Sequence, residues 1–538
     1  MAPASPKKMT AGSRKKRGPK EKPKEKPPGT DAFPVVCLGA SAGGLQSLEA
    51  FLSNVPDQTG MAFVVISHTD PERTSLLPDI LRRTSGIPVI IIEERIVPEQ
   101  NTVYLPPSNR DLVMDRGKFH LKDIERKDGL HLPIDRFLES LSKARGKRSG
   151  CAILSGTGTD GTHGLRLIKE AGGVTLAETK SSAGHFGMPQ SAIETGMVDY
   201  ILEPARMPGR LIDYFEHPVT LQDTTEVERG GRVKDGKQIL KSLHQVIQLL
   251  AQNTGHDFSH YKKSTLIRRI ERRMSVTRSK TAAEYLDYLR CNDHESKALF
   301  QDFLIGVTEF FRDPETFVLL QEKVLPELFA RRDKGASLRG WFAGCSTGEE
   351  VYSGAMVISE YLEAHKIRCG MQLFGTDIDP KAIDKARQGV YLQNIAAQVS
   401  PERLQRFFSK DGDRYRVEKE IREPVVFSVQ DILRDPPFTQ LDLLFCRNLL
   451  IYLEPEAQNR LIPILHYSLK PEGLLVLGSS ESTGGFAGFF TMLDKKQSIY
   501  QKKEGPVAAR PAIEFPVRGK RPEQRVQYIP PAVMKNHR

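Results

Sequence analysis

The stretch Pro34-Val-Val-Cys-Leu-Gly-Ala-Ser-Ala-Gly-Gly-Leu45 decides the fold of the first half of this chain. Its apolar start predicts a buried strand, and the small residues after it predict a tight turn into a helix. Residues 39–43 match G-x-S-x-G, a turn that presents a serine hydroxyl at the end of a sheet. A plain strand-to-helix turn remains an equal alternative, whereas G-x-G-x-x-G is not met and a phosphate-binding loop is disfavoured.

Similar apolar runs recur along the chain and alternate with helical patterns, which is typical of a parallel sheet covered by helices. In the first half they are 35–39, 62–67, 89–92, 151–154 and 173–177. In the second half they are 338–343, 371–376, 425–428, 441–446 and 474–478. The stretch between them has apolar residues at helical spacing. We therefore predict an α/β protein with two doubly wound parallel-sheet domains and a small helical domain between them.

Composition limits the remaining possibilities. The chain has 538 residues and a net charge of +11, and it contains no apolar run of the roughly 18 residues that a membrane span needs. Its six cysteines form no C-x-x-C pair, so we predict neither disulfides nor a metal site and expect a cytoplasmic location. We expect a disordered basic tail at 1–31, domains at 32–218, 238–325 and 326–503, a linker at 219–237 and a flexible tail at 504–538.

A serine nucleophile needs a base, and the base needs a carboxylate that orients it. His68 ends the second apolar run, and Asp160 lies in the glycine-rich loop after the fourth run. Because the carboxyl ends of parallel strands share one edge of the sheet, we expect Ser41, His68 and Asp160 to meet there. His163 and His185 are alternative bases, but neither follows a strand directly.

These stretches resemble the catalytic domain of the CheB-type chemotaxis methylesterase across residues 33–215. The matching segments are 38–44, His68, 154–161 and 187–199. The resemblance implies that Ser41 is the nucleophile, His68 the general base and then acid, and Asp160 the orienting carboxylate. It implies a protein glutamyl methyl ester as the substrate, with glutamine as a further target for deamidation. Ala42 and Thr157 stand where the family commonly has Thr and Met.

The second half begins with another strand-turn-helix pattern, Leu338-Arg-Gly-Trp-Phe-Ala-Gly-Cys-Ser-Thr-Gly-Glu-Glu350. Asp377 ends the next predicted strand, where an acid can accept hydrogen bonds from ribose hydroxyls. No Walker lysine follows the glycines. Glu349 and Glu350 would repel a pyrophosphate but suit a sulfonium and an ammonium group. A nucleoside sulfonium cofactor is thus favoured, and two ordinary strand-to-helix turns remain the alternative.

This half resembles the CheR-type protein-glutamate methyltransferase across residues 238–502. The matching segments are 261–274, 307–313, 344–350, 375–379 and 446–452. The resemblance implies a pocket for S-adenosylmethionine lined by Thr308, Arg312, Glu350, Asp377, Asp431, Ile432, Arg447 and Asn448. The family often has Asn at the positions of Gly306 and Asp431. A glutamate carboxylate is already nucleophilic at neutral pH, so methyl transfer needs positioning rather than a base.

The segment 261–274 is rich in arginine, with Arg268, Arg269, Arg272 and Arg273. It predicts either a dock for an acidic receptor helix or a solvated helix face. Together the patterns predict a bifunctional enzyme that acts on a methyl-accepting chemoreceptor or a related signalling protein, without membrane insertion. We expect the two opposed activities to be regulated separately, by partners or by domain docking. The alternatives are a signalling scaffold that has lost turnover and, less favoured, a nucleic-acid methyltransferase that uses the basic tails.

Overall fold

The computed structural model describes residues 33–68, 76–124, 130–216, 235–304, 306–330 and 336–503. The two predicted tails and most of the predicted linker lie outside these residues. A helix already begins at Asp235, so the linker ends earlier than its predicted boundary at residue 237.

Among its described residues, the first α/β region contains nine strands and six α-helices. The strands are β1 Val35–Ala40, β2 Ala62–Ser67, β3 Val89–Ile91, β4 Thr102–Leu105, β5 Asp111–Asp115, β6 Lys118–Lys122, β7 Ser149–Ile153, β8 Val174–Glu178 and β9 Tyr200–Leu202. The helices are α1 Gly44–Leu52, α2 Leu77–Thr84, α3 Pro133–Arg145, α4 Thr162–Glu170, α5 Gly187–Glu194 and α6 Met207–Glu216.

Seven of these strands form one sheet in the order β3-β4-β2-β1-β7-β8-β9, and all of its strand pairs are parallel. The central strand β1 is buried along its whole length, as expected for a strand covered by helices on both faces. Apolar cores on the two faces of the sheet hold it between the helices. The antiparallel hairpin β5-β6 was not predicted from the sequence.

The α-helices that follow in the described part of the chain are α7 Asp235–Thr254, α8 Lys263–Thr277, α9 Ala282–Cys291, α10 Asp293–Phe303, α11 Pro314–Leu319 and α12 Leu325–Ala330. The first four share a core that includes Leu250, Ile270, Tyr285 and Leu299. This confirms the helical region between the two sheets.

The second α/β region contains strands β10 to β19 and helices α13 to α17. The strands are β10 Leu338–Ala343, β11 Met371–Asp377, β12 Val390–Leu392, β13 Phe408–Asp411, β14 Arg414–Val417, β15 Val425–Val429, β16 Leu441–Cys446, β17 Leu469–Leu477, β18 Phe490–Asp494 and β19 Ile499–Lys502. The helices are α13 Glu349–Ala364, α14 Pro380–Gln388, α15 Pro401–Phe407, α16 Lys419–Arg422 and α17 Pro455–Ser468.

Its main sheet has the order β15-β11-β10-β16-β17-β19-β18. The first five strands are parallel, but β19 and β18 are antiparallel to their neighbours, so this sheet is mixed. A small antiparallel sheet, β12-β14-β13, is a further addition to the predicted pattern. The predicted α/β class with two doubly wound sheets is otherwise confirmed. None of the described helices has both the length and the apolar character needed to cross a bilayer.

Candidate active sites

The predicted serine nucleophile lies at the carboxyl edge of the first sheet. Ala40 pairs with Ser67 of β2, and Gly39 pairs with Ile153 of β7, so the carboxyl ends of β1, β2 and β7 lie side by side at one edge of the sheet. Ser41 and His68 are the residues that directly follow β1 and β2. The Ser41 backbone N–H donates a 2.9 Å hydrogen bond to the carbonyl of Ser155, which fixes the turn.

Close approach of two loops at this edge requires a glycine at position 156. A Cβ atom there would lie 2.9 Å from the Cβ of Ser41 and 2.3 Å from the sulfur of Met188, both shorter than normal contacts. The absence of a side chain therefore allows the loop after β7 to pack beside the serine.

His68 and Asp160 form an ion pair at the same edge, with 3.1 Å between His68 Nε2 and Asp160 Oδ2. The Asp160 carboxylate also accepts hydrogen bonds from the backbone N–H groups of Ile134, Asp135 and Gly161, at 2.8 to 3.0 Å. Two of these donors are in the first turn of α3, where the helix dipole favours a negative charge. The carboxylate is thus held in one orientation toward the imidazole.

The environment of His68 raises its pKa above the usual value. Burial alone would lower the pKa, but the hydrogen bond and the negative charge of Asp160, with a backbone hydrogen bond at His131, outweigh that effect. The imidazolium that forms when His68 takes up a proton is therefore stabilised, which is the property that a general base beside a serine requires. The transfer of a proton from Ser41 to His68 stays a prediction.

Two supporting residues were not identified from the sequence. Glu178, at the end of β8, accepts hydrogen bonds from the Ser155 N–H at 2.8 Å and the Ser47 hydroxyl at 3.1 Å. His131 packs edge-on to the His68 ring at 6.4 Å and contacts Asp111 at 2.6 Å. An acid at the end of a buried apolar run was the available signal for Glu178, whereas nothing in the pattern indicated His131.

The two alternative histidines have other surroundings. His163 is on α4, 4.0 Å from Glu309 of the following half of the chain, and burial lowers its pKa to about 4. The His185 backbone donates to the Ser155 hydroxyl. His68, by contrast, is paired with a buried carboxylate at the end of its strand.

A cleft of about 690 Å³ lies at the carboxyl edge of the second sheet, a size typical of ligand pockets. Asp377 and Asn448, both predicted cofactor ligands, line it together with Gly344 and Ser346. Tyr261 and Tyr452, which were not singled out from the sequence, also line it. They are the first and last residues of two segments that carry the CheR resemblance, which could have identified them.

Asp377 is fixed at the base of this cleft. Its carboxylate accepts hydrogen bonds from the backbone N–H groups of Ser346 at 2.8 Å and Asp379 at 2.9 Å, and burial raises its pKa. Nearby, Gly348 has a φ of +93° at the start of α13, and a Cβ there would lie 2.9 Å from Ala386. A half-buried strand-end acid beside a sharp turn fits the ribose of a nucleoside cofactor.

The other predicted ligands do not line this cleft. Arg447 is buried and pairs with Glu350 and Asp313, so its guanidinium has a structural partner. Arg312 donates to the Val307 carbonyl at 2.7 Å, and Thr308 borders a small adjoining cavity.

Asp431 accepts a hydrogen bond from the Leu433 N–H at 3.0 Å, and burial raises its pKa. Ile432 packs against an apolar core of the second region. The roles of the six residues outside the cleft in cofactor binding stay predictions.

Both interpretations of the arginine-rich helix are wrong for three of its four arginines. Arg269, Arg272 and Arg273 are buried in α8, so they are neither a solvated face nor an accessible dock. Arg273 pairs with Glu295, and Arg272 with Asp302 and with Asp199 of the first α/β region.

Comparison with known proteins assigns each region to a family. Residues 36–211 match the CheB methylesterase family, 241–304 the all-alpha domain of CheR methyltransferase, and 306–499 its SAM binding domain. The chemotaxis protein methyltransferase of Escherichia coli is 31% identical over 267 residues, which are 48% of this chain and 88% of that protein. The putative methyltransferase Cher3 of Pseudomonas putida is 30% identical, over 48% of this chain and 95% of that protein.

An uncharacterized 104.1 kDa protein of Rhodobacter capsulatus is similar across both halves, with 35% identity over 475 residues. The match covers 86% of this chain but 49% of that protein, so the chain spans about half the length of this relative. Among solved structures, the Thermotoga maritima CheB methylesterase catalytic domain is 32% identical, over 34% of this chain and 98% of that one, with a TM-score of 0.32. The chain therefore belongs to the CheR methyltransferase family, whose cofactor is S-adenosylmethionine, and it carries a CheB methylesterase domain ahead of the methyltransferase.

Proposed function

We propose that this chain is a bifunctional chemotaxis-type enzyme that both hydrolyses glutamyl methyl esters and methylates glutamate carboxylates. The observation that carries the proposal is the presence of two separate sites in one chain. One is the His68–Asp160 pair at the sheet edge where Ser41 follows the neighbouring strand, and the other is the cleft over Asp377. The substrate is a methyl-accepting chemoreceptor or a related signalling protein, and the site of action is the cytoplasm, where the six free cysteines stay reduced.

In ester hydrolysis, the Ser41 oxygen attacks the ester carbonyl while His68 takes up the serine proton. His68 then gives that proton to the departing methanol, and a water molecule activated in the same way releases the glutamate. Asp160 holds the imidazole in one orientation and stabilises its charged form. The hydrogen bond between the Ser41 N–H and the Ser155 carbonyl keeps the nucleophile at the edge of the sheet.

In methyl transfer, the bound cofactor supplies an electrophilic methyl group on a sulfonium. Asp377 would accept hydrogen bonds from the ribose hydroxyls, and the backbone of Gly344 and Ser346, which lines the same cleft, would contact the cofactor. Asn448 and Tyr452 line the same cleft and would orient the acceptor and exclude water. The acceptor carboxylate is itself the nucleophile, so the protein contributes position and a dry environment.

The test separates the two activities within one chain. Ser41→Ala should abolish methanol release from a methylated chemoreceptor and leave transfer of a labelled methyl group from S-adenosylmethionine intact. Asp377→Asn should weaken cofactor binding and slow methyl transfer at limiting cofactor, and should leave methanol release intact. Wild-type protein that binds the cofactor in calorimetry but shows neither activity on a chemoreceptor would instead support the signalling scaffold.

A further inference from the structure

The cofactor cleft has walls from two different domains. One wall is the carboxyl edge of the methyltransferase sheet, with Asp377 and Asn448. The opposite wall belongs to the methylesterase domain, through Lys169 near the end of α4 and residues 193–199, which run from the end of α5 into the loop after it. An acceptor protein must therefore pass the methylesterase domain to reach the cofactor.

The cleft between these walls measures about 690 Å³. A glutamate of an acceptor protein must enter between the two walls to reach the cofactor, so the position of the methylesterase domain sets the width of the entrance.

A glutamate of the methylesterase domain already contacts the methyltransferase wall. The Tyr452 hydroxyl lies 3.3 Å from Oε1 of Glu170, the last residue of α4. Tyr452 lines the cleft, and Glu170 has the same side chain as the proposed methyl acceptor. An acceptor carboxylate that approached along Tyr452 would have to displace Glu170.

A buried cluster of four charges holds the two domains together. Lys169 and Asp199 come from the methylesterase domain, and Arg272 and Asp302 come from the helical domain of the methyltransferase. Lys169 Nζ lies 3.2 Å from Asp199 and 3.3 Å from Asp302, and Arg272 pairs with the same two carboxylates. All four side chains are at most 6% exposed, and their charges sum to zero.

Backbone groups add to this interdomain cluster. Arg269 donates to the Lys169 carbonyl at 2.9 Å, and Arg272 donates to the Gly173 carbonyl at 3.0 Å. The Tyr200 hydroxyl donates to the Val276 carbonyl at 2.8 Å. At the rim, Arg278 pairs with Asp213, and Arg414 pairs with Glu194 at 2.7 Å.

An interface of this kind can open. Burial of ions has a large desolvation cost, which the attraction between them only roughly offsets, whereas separation returns each ion to water. On separation Lys169 can keep its pair with Asp199, and Arg272 its pair with Asp302, because both members of each pair belong to one domain. The arginine-rich helix is thereby used to bind the methylesterase domain rather than an external acceptor.

We propose that the methylesterase domain is an internal lid on the methyltransferase, and that methyl transfer to a protein requires the two domains to separate. The lid is α4, with Glu170 against Tyr452, and the interdomain cluster is its latch. This proposal rests on the proposed methyltransferase function and adds the regulation of that site.

The experiment uses the full chain and two variants that weaken the interdomain contacts, one of them at residues that do not line the cleft. Lys169→Glu places a third carboxylate between Asp199 and Asp302. Because a buried change could unfold the protein, a second variant combines Arg278→Glu with Arg414→Glu at the exposed rim. Arg82→Glu is the matched control, since Arg82 pairs with Asp79 within the methylesterase domain.

Small-angle X-ray scattering reports separation of the domains, and labelled methyl transfer to a chemoreceptor at saturating cofactor reports access. We expect both opening variants to increase the radius of gyration and to raise the initial rate of transfer by about 5- to 150-fold, the usual range of allosteric coupling. Arg82→Glu should behave as the wild type.

Opened variants that transfer methyl groups no faster than the wild type would overturn the lid. A failure of the proposed function looks different, because no variant and no wild-type protein would then transfer a methyl group, although all bind the cofactor. In that case the lid proposal is also overturned, because it rests on the methyltransferase function.

Discussion

Replacement of Asp160 by asparagine tests the first site most directly. In the native site Oδ1 accepts hydrogen bonds from Asp135 and Gly161, and Oδ2 accepts one from Ile134 and pairs with His68. An asparagine oxygen can replace Oδ1, but its NH₂ group then faces the donors at the Oδ2 position. The imidazole loses both its negative partner and its preferred tautomer.

Two magnitudes follow from this geometry. Loss of the orienting carboxylate should reduce kcat/KM for ester hydrolysis by on the order of 10³- to 10⁴-fold. The Ile134 N–H, left without an acceptor in a buried position, should lower the free energy of unfolding by about 1–3 kcal/mol. For a domain of this size that corresponds to a decrease in Tm of about 2–4 °C per kcal/mol.

The assays are methanol release from a glutamyl methyl ester substrate and thermal unfolding, with methyl transfer as the internal control. Asp135→Asn is the matched variant, because burial and the charge of Asp160 already raise the Asp135 pKa well above its usual range and favour a neutral side chain. An amide oxygen can also keep the 2.7 Å hydrogen bond from Gly164. An Asp160→Asn enzyme within tenfold of the wild type, or an Asp135→Asn enzyme that is equally impaired, would refute the assignment of Asp160.

Three further predictions concern the pH profile, the cofactor and the helical domain. Ester hydrolysis needs the neutral imidazole of His68, so activity is present above the pKa of His68 and is lost as the pH falls through it. Because that pKa is raised, the midpoint of the acid limb of kcat/KM should lie above the usual value of about 6.5, and it should move to lower pH in Asp160→Asn. Asp377→Asn should weaken cofactor binding in calorimetry by about 10- to 100-fold, the effect of one lost charge-assisted hydrogen bond. In the wild type, the affinity for the cofactor should fall at acid pH, because burial raises the Asp377 pKa and the carboxylate becomes protonated. Arg273→Met leaves the Glu295 carboxylate buried, with only the Tyr285 hydroxyl as a side-chain partner among the described residues. Denaturant unfolding should therefore show a free energy of unfolding that is lower by about 3–5 kcal/mol. Addition of Glu295→Leu to the same chain should restore much of that free energy.

The sequence predicted the strands best where burial is complete. The bounds of β10 and β16 match their apolar runs, because a strand covered on both faces has no polar alternation to interrupt it. β17 begins at Leu469, five residues before its predicted start. The prediction missed its first half because Lys470, Pro471 and Glu472 are residues typical of a loop. The strand-end rule also placed Ser41, His68, Asp160 and Asp377 correctly relative to their sheets.

The sequence could not show the fate of the arginines in α8. Their helical spacing is the same for a solvated face and for a buried one, and the difference lies in their partners. Asp199 is 73 residues before Arg272, and Asp302 is 30 residues after it. The local sequence pattern carries no information on such distant pairs. From composition alone, the four charged residues of the interdomain cluster would be expected on the surface.

Helix α4 connects the two sites physically. It begins at Thr162, two residues after Asp160, and ends at Glu170 against Tyr452, a length of about 14 Å at 1.5 Å per residue. Asp160 itself is held by the N–H groups of Ile134 and Asp135 in α3 and by that of Gly161 at the start of α4, the end remote from Glu170. Separation of the domains should therefore release the Glu170 end without moving the carboxylate that orients His68. The coupling is one-sided: opening switches the methyltransferase on, while the methylesterase keeps its geometry in both positions.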